Sequence, residues 1–346
     1  MINILRPQKL IVILCLLTYY ATSAQVKFSG IIGQRTLQLT DQARQRLLLT
    51  EVWYPTDDTL KKSDQGFSLF IRHYTVRNGR LSASRLPLIL LSHGTGGGRL
   101  TMEWLAQGLA QNGFMVAAVD HWGNMYDNKI PLEFPKPWER PLDISYVLTT
   151  LLASKTIAPS IDPQRVGAIG FSFGGYTVLA LSGATIDYRT LLTYYRSHRQ
   201  ELDVPELPNV SKYLDDPALT GGVRRVPPLK DSRINAFFSI SPSMGQGFTS
   251  QAQFATVQDP VYIVGSENDQ MSPVKANARK YHNLIAGSEY YEFEGKPGHY
   301  VMLNEAIDEV KKSDPTYFTD DPSVDRHQVH TKVIALAIEF FSTKLR

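Results

Sequence analysis

The stretch Gly170-Phe171-Ser172-Phe173-Gly174-Gly175 limits what this chain can fold into more than any other. It follows Val166-Gly167-Ala168-Ile169, a short apolar run, and precedes residues 176–181, which have helical composition. A serine with glycines two positions to either side, on a strand-to-helix turn, is the G-x-S-x-G nucleophile elbow. The reason is steric. The serine sits in a sharp, strained turn, and glycines admit neighbouring backbone where a Cβ would collide. The helix that follows points free N–H groups at any negative charge developing near the hydroxyl. The motif therefore calls for a parallel strand ending near residue 170, a helix after it, and Ser172 as nucleophile.

The rest of the chain supplies the sheet such an elbow needs. Residues 46–55 read as a strand stopped by Pro55, and residues 86–92 (LPLILLS) as a buried parallel strand running into glycines. Residues 100–111 are helix-like and close at Gly113. Residues 114–119 read as a strand, 142–154 as a helix and 165–170 as a strand. Residues 234–239 and 260–264 are two further buried-strand runs. Residues 273–285 read as a helix opened by Pro273, 289–293 as a strand and 329–345 as a closing amphipathic helix. This alternation predicts an α/β protein of the α/β-hydrolase type: a mostly parallel central sheet with helices on both faces. Residues 184–233 break it. With residues 188–202 as a helix and 205–230 as a proline-punctuated loop, they read as an inserted cap or, alternatively, as a surface decoration.

Three further pieces of chemistry are expected around Ser172. Ser92-His93-Gly94-Thr95-Gly96-Gly97-Gly98 directly follows a buried strand, where this fold supplies half of its oxyanion hole from a backbone N–H. The two donors are assigned to the N–H groups of Thr95 and Phe173. The loop lacks a G-K-[ST] ending, which argues against a phosphate cradle, and His93 is read as shaping the loop. The base must come late in the chain, and His299 in Gly298-His299-Tyr300 follows the last strand. The orienting acid is assigned to Asp269, in the turn after residues 261–264, with Glu267 as its rival. Asp120 precedes the nucleophile, the wrong chain order for this fold. Asp120, His121, Trp122, Tyr300 and the cap aromatics Tyr188, Tyr194 and Tyr195 are candidate pocket walls. His327 and His330, three apart on a helix, lack a carboxylate to complete a metal site, and no metal is expected.

These residues resemble the secreted bacterial branch of the dienelactone hydrolase-like family, which is similar to the platelet-activating-factor acetylhydrolases. The resemblance runs through Val52-Trp53-Tyr54-Pro55, Ser92-His93-Gly94, Val119-Asp120-His121 and Gly123-Asn124. It continues through Arg140-Pro141-Leu142-Asp143-Ile144, the elbow and Gly298-His299-Tyr300. It implies hydrolysis of a small-molecule or lipid-like carboxylic ester through an acyl-enzyme, without a cofactor. Two departures narrow it. Dienelactone hydrolases proper carry a cysteine where this chain has Ser172, so lactone opening is not implied. In the plasma-type acetylhydrolases the acid follows the previous strand, and Ser239-Ile240-Ser241-Pro242-Ser243 offers no carboxylate there.

Composition sets the outer bounds. The 346 residues carry 36 Lys and Arg against 33 Asp and Glu with no basic block, which gives no electrostatic case for a nucleic-acid partner. Arg6 and Lys9, an apolar run over residues 10–17 and Ala21-Thr22-Ser23-Ala24 read as a signal peptide, residues 1–24, cleaved before Gln25. The run is shorter than the ~20 residues a bilayer span needs, so no membrane span is expected in the mature chain. The hydrolase domain is then residues 25–346, exported to the periplasm or secreted. Cys15, the single cysteine, lies in the segment to be removed, which excludes a cysteine nucleophile. Two other functions stay open at this stage: a serine peptidase using the same triad, and a non-catalytic binding protein on a hydrolase scaffold.

Overall fold

The computed structural model describes residues 30–346; the expected signal peptide lies outside them. Its frame is a nine-stranded sheet, comprising β1 (Ile32–Asp41), β2 (Arg46–Pro55), β3 (Thr75–Arg77), β4 (Leu86–Ser92), β5 (Met115–Val119), β6 (Ile161–Phe171), β7 (Ala236–Ile240), β8 (Val261–Ser266) and β9 (Glu289–Phe293). The spatial order is β3-β1-β2-β5-β4-β6-β7-β8-β9. From β5 to β9 every pairing is parallel. β1 and β2 form an antiparallel hairpin, from Ile32 opposite Pro55 to Asp41 opposite Arg46, and β2 joins the parallel strands antiparallel to β5. Asp41 closes the hairpin by accepting from the backbone N–H groups of Ala43 and Arg44 at 3.1 and 3.2 Å. β3, three residues long and parallel to β1, carries no periodicity that a sequence reading could detect.

The apolar strand runs are buried on both faces, and alternate residues feed two cores. Leu88 and Leu90 join one core, Ile89 and Leu91 the other. Helices α1 (Glu103–Gln111) and α10 (Arg326–Lys344) cover the second core through Leu105, Leu109, Val333 and Phe341. Helices α2 (Glu139–Ala153), α3 (Phe173–Ser182) and α7 (Ala278–Leu284) cover the first through Val147, Leu148, Leu179 and Tyr281. The expected helix at Pro273 starts five residues later. The N–H groups of Ala276 and Asn277 both turn back to the Pro273 carbonyl, and Asn277 leaves helical geometry at φ −128°, ψ −97°.

The interrupting segment is helical but broken. It contains α4 (Tyr188–Ser197), α5 (Arg199–Leu202) and α6 (Pro217–Val223). The single helix expected over residues 188–202 is split at His198, which has φ −131° and ψ 52°. The segment is no loose attachment, since Ile186, Leu191, Tyr195 and Leu214 belong to the first core. Two short helices not expected from sequence, α8 (Asp308–Ser313) and α9 (Pro315–Phe318), precede α10.

β4 connects to β5 on one side, while β6 lies on the other. The strand order thus reverses between β4 and β6. Open α/β sheets bind ligands at such a switch point, beyond the carboxyl ends of the strands. The loop 92–98 and Ser172 both emerge there.

Candidate active site

Ser172 sits between β6 and α3 at φ 57°, ψ −116°, a conformation that costs a non-glycine residue about 1–3 kcal/mol. The strain is held by backbone bonds: Ser172 N–H donates to the Ile240 carbonyl at 2.9 Å, and Ser243 N–H to the Ser172 carbonyl at 3.1 Å. The flanking glycines are spatially required. A Cβ on Gly170 would lie 2.1 Å from the Gly174 carbonyl oxygen, and one on Gly174 would lie 2.0 Å from that of Ser92. β4, β6 and α3 meet too closely at this corner for any side chain.

Around this turn the structure brings three distant residues into line. His299 Nε2 is 2.9 Å from Ser172 Oγ, and His299 Nδ1 is 2.7 Å from Asp269 Oδ2. Asp269 is fixed in turn by accepting at Oδ1 from the N–H groups of Met271 and Ser272, at 3.0 and 2.7 Å. With the carboxylate on Nδ1, the ring holds its proton there and presents Nε2 as an acceptor to the serine hydroxyl. Glu267 takes another partner, accepting from Gly295 N–H at 3.1 Å, and so braces the turn that leads to His299.

Thr95 and Phe173 line the same cavity as Ser172 and His299. Among the described residues neither of their N–H groups donates to another group of the chain. Gly94 lies against Ser172, since a Cβ on it would meet Ser172 Cβ at 3.3 Å. The cavity measures about 760 Å³ and carries aromatic surface from Phe70, Phe134, Tyr195, Tyr300 and Tyr317. Residues of the segment 184–233, among them Leu202, Val204 and Glu206, line one side of it. Tyr300 Oη donates to Glu206 Oε1 at 2.9 Å, and Lys129 Nζ donates to the Glu206 main-chain oxygen at 2.7 Å. Burial pushes the Glu206 carboxyl up from its ordinary value, while the Tyr300 hydrogen bond opposes that shift.

Of the residues expected as walls, Tyr195 and Tyr300 line the cavity, whereas Tyr188, Tyr194, His121 and Trp122 do not. His121 is completely buried, and Trp122 packs beside the first core. His121 instead belongs to a second serine–histidine–aspartate line. Ser92 Oγ lies 2.9 Å from His121 Nε2, and His121 Nδ1 lies 3.0 Å from Asp143 Oδ2. All three are fully buried, and Arg46 forks onto Asp143 at 2.8 and 3.0 Å. Burial holds His121 well below the usual imidazole range, and the nearby Arg140 and Arg46 push the same way. The line is neutral at its histidine and closed to substrate; it ties the ends of β4 and β5 to α2. Asp120 has a comparable bracing role, accepting from the Arg99 backbone and guanidinium.

Sequence reasoning passed over Arg140 and Glu206 as parts of the site. Arg140 is 2% exposed and reaches the glycine-rich loop after β4, where its Nη2 donates to the Gly94 carbonyl at 2.9 Å and to Asn124 Oδ1 at 3.1 Å. Desolvation lowers its pKa to about 9. Arg140 stands in the first turn of α2 between Glu139 and Asp143, where the sequence reads as a solvated helix start, and Glu206 lies in a proline-punctuated loop; neither carries a sequence signal of its place in the site. Among the described residues no group of three or more His, Cys, Asp or Glu could hold a metal. His330 stacks on Trp104, whereas the neighbouring His327 faces Glu305.

Comparison with known proteins places this geometry in context. Residues 67–125 match the family model for platelet-activating factor acetylhydrolase, isoform II, a stretch that includes β4, the glycine-rich loop and β5. Lipase 1 of Moraxella sp. (strain TA144) is 28% identical over 110 residues, which cover 31% of this chain and 32% of that lipase. The ferulic acid esterase of Streptomyces cinnamoneus superposes with a TM-score of 0.62 at 17% identity, over 92% of this chain and 91% of that one. Strand order, elbow and this near-complete superposition identify the chain as an α/β-hydrolase-fold protein.

Proposed function

We propose that this protein is an exported serine hydrolase that cleaves carboxylic esters through an acyl-enzyme. The observation that carries the reading is the hydrogen-bonded line Asp269–His299–Ser172 opening on a cavity. In the reaction, His299 Nε2 takes the hydroxyl proton as Ser172 Oγ attacks the acyl carbon. Asp269 stabilises the resulting imidazolium. The tetrahedral oxyanion is held by the N–H groups of Thr95 and Phe173. Collapse expels the alkoxide, which takes the proton from His299, and leaves an ester on Ser172. Water activated by His299 repeats the sequence and releases the acid. The cavity volume lies within the range of small-molecule sites, and its aromatic wall suits an ester with hydrocarbon surface. The lipase, the esterase and the acetylhydrolase family model all point to the same bond.

The test pairs a fluorophosphonate probe with turnover on p-nitrophenyl esters and aminoacyl amides. Ser172→Ala is expected to lose labelling and nearly all esterase activity, on the order of a million-fold as for triad nucleophiles elsewhere. Retention within tenfold would reject the assignment, and faster turnover of the amides would make the protein a peptidase. Export is supported by the charged start, apolar run and small-residue site of residues 1–24. N-terminal sequencing of protein from its native host should begin near Gln25; recovery of Met1 would remove that part of the proposal.

A further inference from the structure

Arg140 is an unusual residue to bury. A guanidinium stripped of water is costly unless its donors and charge are compensated. Its hydrogen bonds to oxygen go to three atoms that carry no formal charge, the carbonyls of His93 and Gly94 and the amide oxygen of Asn124, and its Nη2 also lies 3.4 Å from His93 Nδ1. All three belong to the loop after β4 or brace it, because Asn124 Oδ1 also accepts from Gly96 N–H at 3.0 Å. One side chain thus pins the backbone on both sides of Thr95.

The peptide geometry gives this arrangement a consequence. The Gly94 carbonyl and the Thr95 N–H belong to one rigid, planar trans unit and point in opposite directions. Whatever holds the carbonyl therefore sets the direction of the N–H. Three donors hold it: Arg140 Nη2 at 2.9 Å, His93 Nδ1 at 2.7 Å and, more loosely, Gly97 N–H at 3.3 Å; of these only Arg140 carries a charge. His93 Nε2 accepts from His121 N–H at 3.3 Å, which places the ring proton on Nδ1. A charged donor on the carbonyl also polarises the amide, making its N–H a stronger donor in a site with little water. The second N–H of the hole belongs to Phe173, and the guanidinium carbon lies 4.3 Å from the centre of that residue's ring.

Resting on the hydrolase reading above, we propose that Arg140 is the positioning residue of the oxyanion hole. Its charge and fork orient and polarise the Gly94–Thr95 peptide towards the tetrahedral oxyanion. Arg140 does not touch substrate. Its effect is realised only when charge develops on the acyl oxygen, so it acts on the transition state more than on ground-state binding.

The experiment compares wild type, Arg140→Lys and Arg140→Gln on one p-nitrophenyl ester. It adds the inhibition constant of an alkyl trifluoromethyl ketone, whose adduct with Ser172 carries the same oxyanion. Active sites are counted by the endpoint of fluorophosphonate labelling, and folding is checked by cooperative melting. The expected result is a kcat lower by about a hundredfold in Arg140→Lys, the scale of losing one oxyanion donor, and lower still in Arg140→Gln. The ketone inhibition constant should rise by a matching factor, with KM within threefold. A merely structural role would lower the count of active sites and leave kcat per site and ketone affinity unchanged. That result, or a loss falling on KM alone, overturns the proposal. If neither variant folds, Asn124→Ala, which removes one of the two oxygens that Nη2 donates to together with the acceptor of Gly96 N–H, replaces them, and the same parallel fall in kcat and ketone affinity decides. Wild-type protein that hydrolyses no ester and binds no ketone would instead overturn the hydrolase reading.

Discussion

Glu267 and Asp269 stand two positions apart in one turn and serve different partners. The short Asp269 side chain meets His299 Nδ1 while its other oxygen is locked by two backbone N–H groups. The longer Glu267 reaches only the Gly295 backbone. Asp269→Asn keeps the shape but loses the acceptor that sets the histidine tautomer. It is expected to lower kcat about ten-thousand-fold, the cost of the same change in chymotrypsin-type enzymes. Glu267→Gln still offers an oxygen to Gly295 and should cost under tenfold. Steady-state kinetics of both variants on one activated ester at saturation checks this; the opposite ranking would exchange the two roles. The Ser92–His121–Asp143 line shows what residue chemistry leaves out. It has nearly the same hydrogen-bond lengths as the line ending at Ser172, but none of its three residues lines the cavity that Ser172 and His299 face.

At the scale of elements, the segment 184–233 both lines the cavity and packs into the first core. Excising residues 184–233 would strip Leu191, Tyr195 and Leu214 from the first core, and a buried leucine truncated to alanine alone costs about 2–5 kcal/mol. The informative change is smaller. Tyr300→Phe removes only the hydroxyl that donates to Glu206, leaving the ring against Tyr317 at 4.8 Å between centres. A hydrogen bond to a charged group contributes about 1.5–3 kcal/mol. Part of that holds the cap closed, so KM should rise by up to about tenfold while kcat changes less than threefold. A fall in kcat at constant KM would instead place Tyr300 in the reaction itself.

At the scale of the whole molecule, buried neutral histidines make stability depend on pH. Burial holds His93 and His121 well below the usual imidazole range and lowers His330 to about 3. The unfolded chain protonates these rings below pH ~6.5, and the folded chain does not. The unfolded state therefore binds more protons in this window, and stability falls as pH drops. The melting midpoint should be lower at pH 5 than at pH 7. His330→Phe, which keeps a flat ring against Trp104 and cannot titrate, should show a shallower fall. A wild-type midpoint unchanged across this range would contradict the account.

What the sequence by itself determined lies in local physics and chain order. The elbow glycines, the apolar runs and the late glycine-bounded histidine follow from steric limits, two-sided burial and the Ser–Asp–His order of this fold, all readable along one dimension. They placed Ser172, Asp269 and His299, which the structure brings within hydrogen-bond reach. Helix breaks were harder to read, because His198 departs from helical geometry without a proline or glycine beside it, and the chain stays out of the helix up to Asn277 although Pro273 offers a start. Only the tertiary structure decided which serine–histidine–aspartate line meets the cavity. It also decided that Arg140 comes to lie behind the glycine-rich loop after β4 and that Glu206 meets the Tyr300 hydroxyl. Access and electrostatic support depend on what packs against a group from far along the chain. Ser92 and Ser172 have the same chemistry, but the fold seals one between β4, β5 and α2 and leaves the other at the switch point.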